Sequence, residues 1–146
     1  MNRRHLIRTL AMTALGTSAS FAASTDGKTD VLRVGESLQY DEDLKITFLA
    51  VAKDQRCPIN AQCLTQGDAV VVLRVKAGNQ AARNVRIHSD LKPRKVVIPA
   101  NVFPPGMAGI PKSYVIGIAT LNPLPTAGKV TPQSKYRLRL HISVAV

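Results

Sequence analysis

Residues 136–145 read YRLRLHISVA, the most regular segment of the chain. Apolar side chains occupy positions 136, 138, 140, 142 and 144, whereas polar side chains occupy positions 137, 139, 141 and 143. Successive side chains of a β-strand point to opposite faces, so this alternation predicts one face on a core and one in water. The segment is therefore expected to form a strand that is buried on one side.

The same period of two recurs upstream, at 44–53, 69–76, 83–88 and 114–118, with shorter candidates at 31–34 and 94–98. Residues that favour turns separate these segments, and they include Gly35, Gly67, Pro93 and Pro123. In the first segment, the alternation predicts five residues that face the core: Leu44, Ile46, Phe48, Ala50 and Ala52.

The strands occur without any helical periodicity, which predicts an all-β fold. We expect an antiparallel β-sandwich of about 6–8 strands, with a small β-barrel as the alternative. A chain of 146 residues is long enough for one such domain, and two would each be too small for a good core. The core should be aliphatic, because the chain has three Tyr, three Phe and no Trp.

The N-terminus has the order of an export signal. Residues 1–8 contain Arg3, Arg4 and Arg8 and no acid, a modest apolar stretch covers roughly 6–15, and a run of small residues follows. We therefore predict a cleaved signal peptide at 1–22 and a single β-sandwich domain at 23–146, in the periplasm or secreted. The arginine pair leaves the general secretory and twin-arginine routes both open. The chain has no apolar run of the length that spans a bilayer, so no transmembrane segment is predicted.

Cys57 and Cys63 bracket five residues between two strong strand segments. In an oxidising compartment, two such close cysteines are expected to form a structural disulfide. The alternative is a redox or metal-binding thiol site. Redox pairs usually have two intervening residues and a helix N-terminus, which lowers the thiol pKa, and this segment has neither.

Asp54 and Arg56 precede the first cysteine. A carboxylate and a guanidinium two residues apart can brace a tight loop by hydrogen-bonding to its backbone. The alternative is an arginine displayed at the loop tip, where its side chain would hold an anionic ligand.

The segment DQRCP at 54–58, followed by Cys63 and then GDA at 67–69, resembles a family of small exported bacterial proteins. The hallmark of that family is Asp-Ser-Arg-Cys-Pro, then Cys-x-Trp-x-Gly-x-Ala and a strand. The ending is also similar, with a strand led by Tyr114, a Pro-x-Pro turn at 123–125 and a strand led by Tyr136. Gln55 replaces the usual Ser and Thr65 the usual Trp. The resemblance covers about residues 31–146 and implies export, a disulfide and β-architecture, but no activity.

Charge is unevenly distributed along the chain. From residue 69 onward there are twelve Lys and Arg but one acid, Asp90. Four bases at outward strand positions are candidates for binding an anionic envelope component or an envelope protein: Arg74, Lys76, Arg137 and Arg139. The alternative is that these side chains keep the protein in solution and prevent its strands from pairing with strands of other molecules. Nucleic acid is not an expected partner, because the protein is exported and its few aromatics fall at core positions.

Other candidate residues suggest a carrier site or a protein contact. His88, His141 and Met107 would make a small metal or ligand carrier if the fold brought them together. Phe103 and Met107 lie in a long apolar loop at 99–111 and are candidates for a protein contact. No spacing typical of a catalytic site, a metal site or a cofactor site occurs. The sequence thus predicts a non-enzymatic protein of the cell envelope that needs no cofactor, with an enzyme of unidentified chemistry as the second alternative to the carrier.

Overall fold

The structure is a computed structural model that describes residues 31–100 and 111–145. The strands and the single 3-10 turn of this part of the chain are β1 Val31–Leu32, β2 Ser37–Gln39, β3 Leu44–Asp54, β4 Ala69–Ala77, β5 Arg83–His88, β6 Lys95–Ala100, β7 Lys112–Asn122, the 3-10 turn Gln133–Lys135 and β8 Arg137–Ala145.

The strands form two antiparallel sheets of four. One has the order β1-β8-β7-β6 and the other the order β2-β3-β4-β5. The two sheets pack face to face, which confirms the predicted β-sandwich, and the described strands do not close into a barrel. Because β1 and β2 lie in different sheets, the short segment between them carries the chain from one layer to the other.

Side chains from alternate positions of both sheets fill the space between them. The largest of the fully buried side chains are mainly aliphatic, as predicted, with one Phe and one Tyr: Phe48, Tyr114, Leu44, Ile46, Leu73, Ile87, Ile98, Ile116, Leu138, Val71 and Val75. Each side chain of this size contributes about 1.5–3 kcal/mol when it is removed from water. Burial of the apolar faces therefore holds the two layers together.

A bulge in β3 corrects one detail of the predicted pattern. Leu44, Ile46 and Phe48 are buried as expected, but the register with β4 shifts between Phe48 and Ala50 and again between Val51 and Lys53. An extra residue in one strand turns the following side chains to the other face. Val51 is therefore buried, whereas Ala52 is exposed and Ala50 is only partly buried.

The side-chain amide of Gln133 pairs with the backbone of this bulged region. Its Oε1 accepts a hydrogen bond from the Val51 N–H at 2.9 Å, and its Nε2 donates to the Val51 carbonyl at 3.0 Å. Strand β2 ends its pairing with β3 at Thr47, so it does not reach Val51. Gln133 thus satisfies backbone groups of β3 that have no strand beside them.

Three loops meet at one end of the sandwich, which we call the loop end. They are residues 55–68 between β3 and β4, residues 89–94 between β5 and β6, and residues 123–136 between β7 and β8. The register places them together, because Asp54 pairs with Ala69, Val70 with His88 and Asn122 with Arg137. The turns 40–43 and 78–82 lie at the opposite end, which we call the far end.

Two further observations concern predictions made from the sequence. None of the described residues belongs to a helix that is long and apolar enough to cross a membrane. The predicted signal peptide at 1–22, together with Phe103 and Met107, lies outside the described residues.

Candidate functional site

Cys57 and Cys63 form the predicted disulfide at the loop end, with their Cα atoms 5.8 Å apart. The base of the loop is closed by backbone hydrogen bonds from Gln55 to Asp68 and from Cys57 to Gln66. Gly67 permits this closure, because its φ is +72° and a Cβ there would lie 2.0 Å from the Gln55 carbonyl oxygen. The loop is therefore a tightly constrained segment.

Arg56 does not project from this loop into solvent. Its Nε and Nη2 donate to the two carboxylate oxygens of Asp54 at 2.8 and 2.7 Å, a bidentate geometry. The same guanidinium donates to the carbonyl oxygens of Leu121 and Pro123, at the end of β7 in the other sheet. Only 10% of the Arg56 side chain is exposed. All three of its nitrogens are thus used, two of them on backbone carbonyls at the end of β7, and none is displayed for a ligand.

Tyr136 completes this cluster from just before β8. Its hydroxyl donates to Asp54 Oδ2 at 3.0 Å. Burial acts to raise the pKa of the Asp54 carboxyl, but the hydrogen bond and charge of Arg56, assisted by Tyr136, lower it below its usual value. Asp54 is therefore ionised at neutral pH and links the two sheets through Arg56 and Tyr136.

Asp68 organises the third loop of this end. Its Oδ2 lies 2.6 Å from His88 Nδ1, and its Oδ1 accepts backbone hydrogen bonds from Asp90 and Leu91 at 3.0 and 3.1 Å. Burial opposes ionisation of Asp68, but these hydrogen bonds and the His88 contact lower its pKa to about 2. No local pattern predicts this arrangement, because the partners of Asp68 lie about twenty residues further along the chain.

The four predicted anion-binding residues divide between two faces. Arg74 and Lys76 lie on β4, while Arg137 and Arg139 lie on β8 in the other sheet. Outward side chains of the two layers of a sandwich point in opposite directions. The structure therefore keeps each pair together but separates the pairs, so the four do not make one surface.

Arg74 and Lys76 acquire a third cation, which sequence analysis did not associate with them. Lys45 of β3 pairs directly with Lys76, and Thr47 pairs with Arg74. An open groove of about 260 Å³ runs between these side chains, and we call it the basic groove; it is lined by Lys45, Thr47, Arg74, Lys76 and Ala82. No carboxylate of the described residues forms an ion pair with its three cations.

The two arginines on β8 make a weaker concentration of free positive charge. Arg137 is partly buried, and its Nη1 donates to the backbone carbonyls of Ser134 and Tyr136 at 2.8 and 2.9 Å. Arg139 is exposed and pairs with Val31 and Thr120, which are both uncharged. One of the two guanidiniums is thus occupied by the local backbone.

The two histidines of the carrier hypothesis lie in different sheets, and its third residue, Met107, lies outside the described residues. His88 lies on β5 and contacts Asp68, whereas His141 lies on β8 of the other sheet. The described residues include no group of three or more His, Cys, Asp or Glu side chains placed to hold a metal ion.

A second polar cluster, at the far end, was missed by sequence analysis. Tyr114 of β7 donates its hydroxyl to Asp41 Oδ2 at 2.7 Å, and Lys112 Nζ lies 3.1 Å from the same oxygen and 3.3 Å from Asp43 Oδ2. Burial would raise the pKa of Asp41, but the hydrogen bonds from Tyr114 and Lys112 lower it. A tyrosine hydroxyl at a core position usually has a hydrogen-bond partner. That requirement was the one sign in the sequence that Tyr114 contacts a polar group from another segment.

Comparisons with protein-family models, with curated protein sequences and with solved structures found no match to this chain.

Proposed function

We propose that this protein is a non-enzymatic, exported protein of the bacterial cell envelope that binds an anionic surface through the basic groove. The observation that carries the proposal is the direct cross-strand pair of Lys45 and Lys76, with Arg74 two residues before Lys76 on β4. Like charges directly opposite each other destabilise a sheet. A bound anion that contacts both lysines would relieve this repulsion.

The geometry of the groove suits phosphate groups arranged on a surface or polymer. Side chains two residues apart on one face of a strand are separated by about 7 Å, so Arg74 and Lys76 can contact neighbouring anionic groups. Arg74 is partly oriented by Asn84 Oδ1, which lies 3.4 Å from its Nε. Lipid headgroups, lipopolysaccharide and teichoic acids all present such groups. Because the groove is exposed, we expect its binding to weaken strongly as salt concentration rises.

The test compares two variants that lose the same charge from opposite faces. Arg74→Gln/Lys76→Gln removes two cations of the basic groove, and Lys95→Gln/Arg139→Gln removes two exposed cations from the outer side of the β1-β8-β7-β6 sheet. We expect the wild-type protein and the second variant to be retained on immobilised heparin at low salt, with the groove variant eluting much earlier. Equal elution of the two variants would refute the assignment of binding to the groove.

Export is the second part of the proposal. The disulfide supports it, since such bonds persist in oxidising compartments. Mass spectrometry of the protein recovered from the periplasm or medium should give a chain beginning at Ala23 with the Cys57–Cys63 bond intact. An uncut chain with two free thiols would contradict export.

A further inference from the structure

Five large apolar side chains stand exposed on the three loops of the loop end. Their exposed fractions are 68% for Ile59, 105% for Leu64, 59% for Leu91, 47% for Leu124 and 94% for Val130. Elsewhere in the described residues, large apolar side chains are exposed only at Val97 and Val144. Single exposed apolar residues are ordinary, but a group of them at one end of a domain marks an interaction surface.

The loops that carry these side chains are already ordered. The disulfide closes residues 57–63, and the Ile59 N–H donates to the Pro125 carbonyl at 3.0 Å. The Ala127 N–H donates to Asn60 Oδ1 at 2.8 Å, which ties the same two loops together again. Binding through an ordered surface loses little conformational entropy. The five exposed side chains, which we call the apolar tips, are therefore held in place by ordered loops.

The charge of the loop end is positive once its ion pairs are considered. The carboxylates of the three loops are Asp68, which contacts His88, and Asp90, which forms an ion pair with Arg94. Lys92, Lys129 and Lys135 have no ion-pair partner among the residues that the structure describes. The apolar tips are thus accompanied by cations without balancing free carboxylates.

We propose that the loop end inserts its apolar tips into the interfacial region of an anionic lipid bilayer. A bilayer accepts separate apolar side chains without a matching pocket for each one, and anionic headgroups neutralise nearby lysines. Charge complementarity therefore favours a lipid surface as the occupant. The inference goes beyond the proposed function, because none of these side chains belongs to the basic groove.

The first experiment uses the absence of tryptophan from the chain. Leu64→Trp places a single fluorophore at the loop end, and Val97→Trp places one on an exposed strand position of β6 as a matched control. On addition of vesicles of phosphatidylglycerol and phosphatidylcholine, we expect the emission of the Leu64→Trp variant to shift to shorter wavelength and that of the control to stay unchanged. An unchanged Leu64→Trp emission would overturn the proposal.

The second experiment measures how much the apolar tips contribute. Leu64→Gln/Val130→Gln should weaken vesicle binding about 100-fold, which is about tenfold for each side chain withdrawn from the bilayer. Val97→Gln/Val144→Gln removes apolar surface outside the loop end and should leave binding within about twofold. Leu64 and Val130 are almost fully exposed, so neither substitution should alter the thermal unfolding midpoint. Equal binding by the two double variants would overturn insertion.

A third arm separates this inference from the proposed function. With Arg74→Gln/Lys76→Gln added, the Leu64→Trp emission should still shift on vesicles, because the apolar tips remain. Loss of the shift would show that the basic groove alone holds the protein on lipid, against the proposal. Self-association that Leu64→Gln/Val130→Gln abolishes, without vesicle binding, would assign the loop end to a second copy of the chain and also overturn it.

Discussion

Each end of the sandwich has a polar cluster that joins the two sheets, and the two clusters differ in their cation. At the loop end, Asp54 of one sheet accepts the Tyr136 hydroxyl from the other and pairs with Arg56. At the far end, Asp41 accepts the Tyr114 hydroxyl and pairs with Lys112. Each cluster therefore links the two layers through one carboxylate, one tyrosine and one base.

The clusters differ in burial. The Arg56 and Asp54 side chains are 10% and 9% exposed, whereas Lys112 and Asp41 are 28% and 30% exposed. A planar guanidinium can satisfy a carboxylate and two carbonyls at once, but an ammonium is a flexible point charge that water can replace. Removal of the cation should therefore lower the free energy of unfolding strongly where the carboxylate is buried, and only slightly where water can replace the cation.

The largest effect is expected for Arg56→Ala. It leaves the Asp54 carboxylate and two backbone carbonyls without their partner, and the loss of one member of a buried pair costs about 3 kcal/mol or more. Urea unfolding at pH 7 measures this loss. Arg56→Lys is the matched control, and it should recover only part of the stability because it lacks the bidentate geometry. Full recovery by lysine would show that charge alone is required.

Removal of the disulfide should have the next largest effect. Cys57→Ser/Cys63→Ser opens a short ring, and in the chain-entropy model such a ring contributes about 2 to 2.5 kcal/mol. The loss should appear as a lower urea midpoint, matched by the wild-type protein under reducing conditions. If the double variant were as stable as the oxidised protein, the Arg56 cluster alone would suffice to brace the loop end.

Asp68 predicts a pH dependence at the loop end. Its pKa is 3.8 in an unfolded chain and about 2 in the fold, so its stabilisation is complete above pH 3.8 and is lost as pH falls towards 2. Asp68→Asn should lower the free energy of unfolding by about 1 to 2 kcal/mol at neutral pH. The difference from the wild-type protein should shrink on acidification. Asp90→Asn, which alters an exposed pair, is the control and should change stability by less than about 0.5 kcal/mol.

The smallest effect is expected for Lys112→Ala at the far end. Ion pairs that water can reach contribute little to stability, so the loss should be the smallest of the four. It should also decrease in high salt, unlike the loss caused by Arg56→Ala. A loss at Lys112 as large as that at Arg56 would remove burial as the explanation of the difference between the two ends.

Local patterns in the sequence predicted the features that depend on near neighbours. The period of two identified the main strands, and the interval of only five residues between Cys57 and Cys63 made their bond predictable. Asp54 and Arg56 are also near neighbours, but the sequence predicted hydrogen bonds from them to the loop backbone and not their bidentate pairing with each other. Strand β2 was not predicted, because its three residues are too few to show a period.

Features that depend on distant segments were not predictable in this way. The bulge in β3 is defined only by its register with β4. Arg56 reaches carbonyls 65 and 67 residues away, and Tyr114 lies 73 residues from Asp41. The basic groove combines residues of β3 and β4 whose alignment depends on the intervening loop. A single sequence gives residue types, but the strand register decides which of them meet.

The Gln133 amide has a consequence for how copies of this protein meet one another. A strand with free N–H and C=O groups along one side is a template for a strand of another molecule, and such pairing leads to fibres and precipitates. At Val51 the amide already occupies both of these backbone groups. The side chain of Gln133 therefore blocks edge-to-edge polymerisation at the point where β3 extends beyond the end of β2.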